Sequence, residues 1–125
     1  MKLLLVGGNP KGYEEAFDPE TLSGRRLRAI VKQVGADAEY LDLWADAKEE
    51  REESFSEEKF WKIWVAEYED GRTVIGLGRK VAKALEHWSF MGPRPFDFVP
   101  LPHPASRRPI DWKRLREGLA EQISK

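Results

Sequence analysis

Cysteine is absent from the 125-residue sequence, which excludes disulfides, a thiolate nucleophile, a cysteine-ligated zinc and an iron–sulfur cluster. Histidine occurs only as His87 and His103, too few for a histidine-rich metal site. No apolar run approaches the ~20 residues needed to span a bilayer. The apolar start Met1–Val6 is too short for a signal-peptide core and stops at Gly7-Gly8. These absences lead to the expectation of a cytoplasmic, globular monomer without membrane, metal or cofactor. Amides are scarce too: Asn occurs only as Asn9, and Gln only as Gln33 and Gln122. Beside many Glu, Lys and Arg, that is a thermophile-like composition, which bears on source and not on function.

What is present is charge, at 34% of residues, and the net of −1 conceals its segregation. Residues 46–70 carry ten acids against four bases, and residues 71–125 carry eleven bases against five acids. The overall balance excludes a dedicated nucleic-acid coat, although the basic half suits a phosphate backbone. Two solvated helix faces of opposite sign account for the same pattern. The length fits one domain, residues 1–125, able to bury about two thirds of its unfolded surface.

Hydrophobic patterning alternates strands with helices. Lys2–Val6 is a short unbroken apolar run, as in a strand buried on both faces. A helix is predicted from about Thr21 or Ser23, with Leu27, Ile30, Val31 and Val34 on one face and Gly35 as its C-terminal cap. Ala38–Trp44 alternates as a second strand, and Asp46–Glu53 reads as a loop or frayed helix. Ser54 with Glu57 fits a capping box for a helix carrying Phe60, Trp61, Trp64, Val65 and Tyr68, read mainly as core with one Trp left exposed. Thr73–Leu77 is a third strand, followed by a helix over Arg79–His87. Phe96–Leu101 is a fourth strand that Pro100 confines to an edge or an early end. Asp111 is expected to cap a last helix whose stripe is Trp112, Leu115, Leu119 and Ile123. The order predicts a three-layer α/β/α fold around a central parallel four-stranded sheet.

In such sheets ligands bind beyond the carboxyl ends of the strands. Two of the loops expected there are unusual. Gly7-Gly8-Asn9-Pro10-Lys11-Gly12 lets backbone approach a ligand closely and holds the chain's single Asn. Pro102-His103-Pro104-Ala105-Ser106-Arg107-Arg108-Pro109 pins a histidine between prolines and follows it with a hydroxyl and two guanidiniums. The first loop matches neither GxGxxG nor GxxxxGK[ST], so dinucleotide and P-loop readings lose their motif. A tight turn without a ligand explains it equally well, and His103 alone fits a structural turn.

Together, in order, these loops resemble the signature of the uracil-DNA glycosylase superfamily. Gly8-Asn9-Pro10 is similar to the G-x-N-P loop of its mismatch-directed branch, and Pro102–Ser106 to the His-Pro-Ser/Ala loop of other branches. Leu77-Gly78-Arg79-Lys80-Val81-Ala82-Lys83-Ala84-Leu85 resembles the L-G-x-x-A-x-x-x-L segment after the third strand. Ser23-Gly24-Arg25-Arg26-Leu27, with Phe17 before it, resembles the start of the first helix.

The resemblance implies a uracil-DNA glycosylase-like fold and hydrolysis of the bond from a flipped-out base to C1′ in DNA, as in base excision repair. It implies that His103 donates a hydrogen bond to a ring oxygen as charge develops on the departing base. Asn9 would position the attacking water and Phe17 would stack on the base. Gly8 and Ser106 would contact phosphate or base, and Arg107 or Arg108 would hold the DNA backbone, with residues 46–58 facing away. Uracil-cleaving members end the second strand with an Asn; here Asp42 stands there, and a carboxylate does not donate to uracil O4. The alternative is a non-catalytic relative that binds nucleic acid, a nucleotide or a protein partner.

Overall fold

The computed structural model describes residues 2–125, so Met1, first of the opening apolar run, lies outside the described residues. Strand β1 (Lys2–Gly7) sits at the centre of the fold because Leu3, Leu4, Leu5 and Val6 are all apolar and all buried. Successive side chains of a strand point to opposite faces, so this run feeds two cores. Leu3 and Leu5 enter one with Ile75 and Leu77, and Leu4 and Val6 enter the other with Val74.

Helix α1 (Leu22–Val34) starts where Thr21 caps the amide of Gly24 and ends at Gly35 in the left-handed region, as predicted. It leads into β2 (Asp37–Asp42), then α2 (Ala47–Glu52) and α3 (Glu57–Tyr68). Strand β3 (Thr73–Leu77), α4 (Arg79–Trp88), β4 (Val99–Leu101) and α5 (Pro109–Ile123) complete the order. All four strands are parallel, in the order β2-β1-β3-β4. Helices α1 and α5 cover one face through Leu27, Val31, Leu115 and Leu119. Helices α3 and α4 cover the other through Phe60, Ile63, Ala66, Val81, Leu85 and Trp88. The result is the three-layer α/β/α arrangement. Each fully enclosed Leu or Ile contributes roughly 1.5–3 kcal/mol relative to exposure. Among the described residues no helix is long and apolar enough to cross a membrane.

Several local expectations are corrected. Helix α3 is capped by Ser56, whose hydroxyl accepts from the amide of Lys59, and not by Ser54. The Ser54 carbonyl instead accepts from the Trp44 indole at 3.0 Å, and that ring is completely buried. The inner face of α3 is Phe60, Ile63 and Ala66, while Trp61 and Tyr68 are exposed, so Trp61 is the tryptophan left outside. Residues 47–52 form a full short helix because Asp46 caps it through the amide of Glu49. Helix α5 starts at Pro109 rather than at an Asp111 cap, since Asp111 is taken up by the hydroxyl of Ser106 at 2.6 Å. Strand β4 begins at Val99, later than predicted, and lies at the sheet edge, where Pro100 has no ladder bond to lose.

Gly76 shows how closely the layers meet. A β-carbon there would lie 2.8 Å from Leu85 Cδ1, so glycine is what lets α4 rest on β3.

Candidate active site

Parallel register brings the carboxyl ends of all four strands to one rim. Gly7 pairs with Asp42 across β1 and β2, and the Gly78 amide donates to the Leu101 carbonyl across β3 and β4. Strand order reverses between β1 and β3, so the crevice of this sheet opens above that pair. A cavity of about 70 Å³ lies on the rim, lined by Gly8, Asn9, Lys11, Phe17, Asp18, Thr21, Ser23, Asp42, Glu50 and His103. For comparison, a dry cavity of about 150 Å³ takes benzene. A single ring therefore enters this one only as the side chains at its open mouth give way.

Glycine at the end of β1 makes room for two of these side chains. A β-carbon on Gly7 would fall 2.5 Å from the Phe17 ring, and one on Gly8 would fall 2.4 Å from Glu50 Oε1. Phe17 is buried in the left-handed region at φ 50°, and Lys11 shares that conformation at φ 52°. Two such residues in one loop store strain where the cavity is built. The strained turn is held from α1: Arg28 Nε donates to the Phe17 carbonyl at 2.7 Å, and the Thr21 hydroxyl donates to the Asp18 carbonyl at 2.7 Å.

His103 arrives from the other loop, with its ring 6.3 Å from that of Phe17. Its Nδ1 accepts from the Ala105 amide at 3.0 Å, so in the neutral ring the proton sits on Nε2 as a donor. Burial lowers its pKa; Lys11 lowers it further and Glu50 opposes them. The imidazole is therefore neutral at pH 7. Asn9 is oriented as firmly: Oδ1 accepts from the Lys11 amide at 2.8 Å, and Nδ2 donates to Glu50 Oε1 at 3.2 Å.

Asp42 is 7% exposed. Burial pushes its carboxyl up to about 6, against the pull of Lys59 and with the repulsion of Glu50. Among the described residues no hydrogen bond or ion pair reaches it. Its raised value brings its change of charge toward neutrality.

No family model matches this chain, and no curated protein or solved structure matches it. What the site can do follows from its own residues.

Gly8, Asn9, Phe17, Asp42 and His103, singled out from the sequence, meet on this cavity. Ser106, Arg107 and Arg108 do not. The Ser106 hydroxyl is spent on Asp111 and on the amide of Arg108, which ties the histidine loop to the start of α5. Ser106 and Arg108 line a second, open groove of about 740 Å³ with Arg79, Asp111 and Arg114, and His103 borders both spaces. Arg107 is exposed and lines neither. Within the acidic segment 46–58, Glu50 turns inward onto the cavity, because the segment after β2 folds α2 back over the end of β1.

Sequence reasoning also passed over Arg26. Its guanidinium lies 4.4 Å over the Trp112 ring and donates to the carbonyls of Pro104 and Ser106, so α1 braces the histidine loop directly. Its signal in the sequence was adjacency to Ser23-Gly24; that of Glu50 was its place in a loop leaving a strand's carboxyl end. Among the described residues no three His, Asp or Glu side chains gather as metal ligands.

Proposed function

We propose that the chain is a DNA-base N-glycosylase, hydrolysing the bond from a flipped-out uracil or another damaged base to C1′. The observation that carries this reading is the pairing of Asn9 with His103 on one cavity, with the imidazole locked as a neutral Nε2–H donor. The departing base takes up negative charge, and a fixed donor aimed at one of its carbonyl oxygens stabilises that charge as it develops. A neutral donor is suited to this role because it does not have to give up its proton. Asn9 Oδ1 accepts one bond from Lys11 and keeps a second lone pair for a water. Phe17 forms an apolar wall beside the base. The groove of Arg79, Arg108 and Arg114 next to His103 offers positive charge to phosphates on either side of an extruded nucleotide.

A second reading, a non-catalytic relative that binds nucleic acid, a nucleotide or a protein partner, draws on the tightness of the cavity. Glu50 occupies the Nδ2 of Asn9, and the free volume is below that of one ring. The deciding assay offers single- and double-stranded oligonucleotides carrying one uracil opposite G or A, followed by alkali. Cleavage by the wild type that falls at least ~100-fold in both His103→Ala and Asn9→Ala is the expected result, on the scale of losing one fixed donor to developing charge. Folded wild-type protein that cleaves none of these substrates overturns the enzyme in favour of the binding protein.

A further inference from the structure

Glu50 stands outside the pairing of Asn9 with His103, yet the cavity is built around it. It reaches over the end of β1 from α2, and only the missing side chain of Gly8 admits its carboxylate. Two other carboxylates face the same space. Asp18 Oδ1 is engaged by the Glu20 amide at 2.9 Å, and Asp42 is buried. Glu50 is half-buried, and among the described residues only its Oε1 is engaged, by the amide nitrogen of Asn9.

Resting on the glycosylase reading, we infer that Glu50 is the general base that takes a proton from the attacking water, while Asn9 holds that water in place. An amide positions water but does not accept its proton, so the Asn9 loop by itself lacks a base. The carboxylate is supplied from the segment after β2, next to the amide that would hold the water. In the step, the bond from C1′ to the base nitrogen breaks and its electron pair leaves with the base. A carbonyl oxygen of that base accepts the hydrogen bond from His103 Nε2. The water oxygen bonds to C1′, and its proton passes to Glu50. The base anion then takes a proton from solvent, and Glu50 returns its own to solvent as product leaves. Before attack, the same carboxylate stabilises the cationic sugar.

The test is Glu50→Gln, which keeps an acceptor for Asn9 Nδ2 and nearly the same volume but removes the base. On a single-stranded oligonucleotide with one uracil, kcat is expected to fall ~10²–10⁴-fold, the usual contribution of a general base. KM should stay within about twofold, as expected when an interaction made only in the transition state is lost. The melting temperature should stay unchanged. Glu52→Gln, at the far end of α2, should behave as wild type. A Glu50→Gln enzyme with wild-type kcat would reduce Glu50 to a bracket for Asn9 and sink the inference while leaving the glycosylase standing. A wild type that cleaves nothing removes both.

Discussion

Asp42 is a carboxyl group placed where an unpaired charge is costly, and its two protonation states present different hydrogen-bonding edges. Protonated, it offers one donor and one acceptor, as an asparagine side chain does; ionised, it only accepts. With the folded value raised to about 6 from an ordinary 3.8, the native state binds the proton more tightly than the unfolded chain. Stability therefore falls as pH rises from about 4 to about 6, and the penalty is complete above that. Its size follows from the displacement, up to about 3 kcal/mol. Asp42→Asn should raise the melting temperature at pH 8 by an amount that shrinks to nothing below pH 4, as thermal denaturation across that range will read. Under the glycosylase proposal the same change would give uracil O4 a donor at every pH, so cleavage of uracil above pH 7 should rise relative to wild type. A variant with a flat stability difference from pH 4 to pH 8 would mean that the carboxyl is not displaced.

His103 titrates in the opposite sense. Its depressed value keeps it neutral in the fold, so acid costs stability from the unfolded value near 6.5 downward. Protonation also places a hydrogen on Nδ1 against the Ala105 amide, which dismantles the turn that aims the ring. Activity should accordingly fall on the acid side, at a pH below the ordinary histidine value of 6.5. A His103→Gln variant, which keeps a side-chain donor without an ionisation, should lose that component of the profile.

At the scale of elements, α1 holds both functional loops. Gly24 lies in its first turn, where a β-carbon would come 2.0 Å from the Asp18 carbonyl and 2.5 Å from that of Phe17. Arg28 clasps the Phe17 turn and Arg26 the histidine loop. Gly24→Ala should push the Phe17 turn away, lowering stability by about 1–3 kcal/mol as overpacking does. Activity measured at a temperature where the variant is fully folded should fall further than that loss of stability accounts for. Equal activity under those conditions would detach the turn from the site.

These elements also show what was legible in the sequence. β1 was readable because four consecutive apolar residues admit little else between turn signals. The boundaries of α1 were readable because Thr21 and Gly35 are chemical signals local to the chain. The cap of α3 was misread between Ser54 and Ser56, two residues apart, and α5 begins at Pro109 without a side-chain cap because the Ser106 hydroxyl takes up Asp111. Asn9 and His103 were legible as residues of one cavity because parallel strands put the loops after β1 and β4 on one rim, and Phe17 and Asp42 were singled out through the family resemblance. Glu50 was hidden by its company, since an acidic run reads as solvated surface until the fold turns one member inward.

The charge segregation of the whole chain acquires a direction in three dimensions. The acidic stretch becomes α2 and α3, and the basic half supplies the groove of Arg79, Arg108 and Arg114 beside His103. Of these arginines only Arg108 approaches an acid among the described residues, with Asp111 at 4.0 Å, so their charge is largely free to meet phosphate. Opposed patches on one small molecule orient it during approach, and the local field decides which side a polyanion meets first. Replacing Arg79, Arg108 and Arg114 by Gln should weaken binding of a single-stranded oligonucleotide whatever its sequence. If each neutralises one phosphate, the slope of log K against log salt should become shallower by about 2, at roughly 0.7 for each arginine removed. Arg107→Gln, outside the groove, should change the slope by less than that single-arginine increment. Charge reversal at Glu52 and Glu53 should leave binding unaltered at physiological salt, because both lie on the acidic side and outside the cavity. Fluorescence anisotropy over a salt series reads all of these. A slope unchanged by the triple substitution, with binding strengthened by the charge reversal, would put the strand on the acidic face and disconnect the groove from the cavity that His103 shares with it.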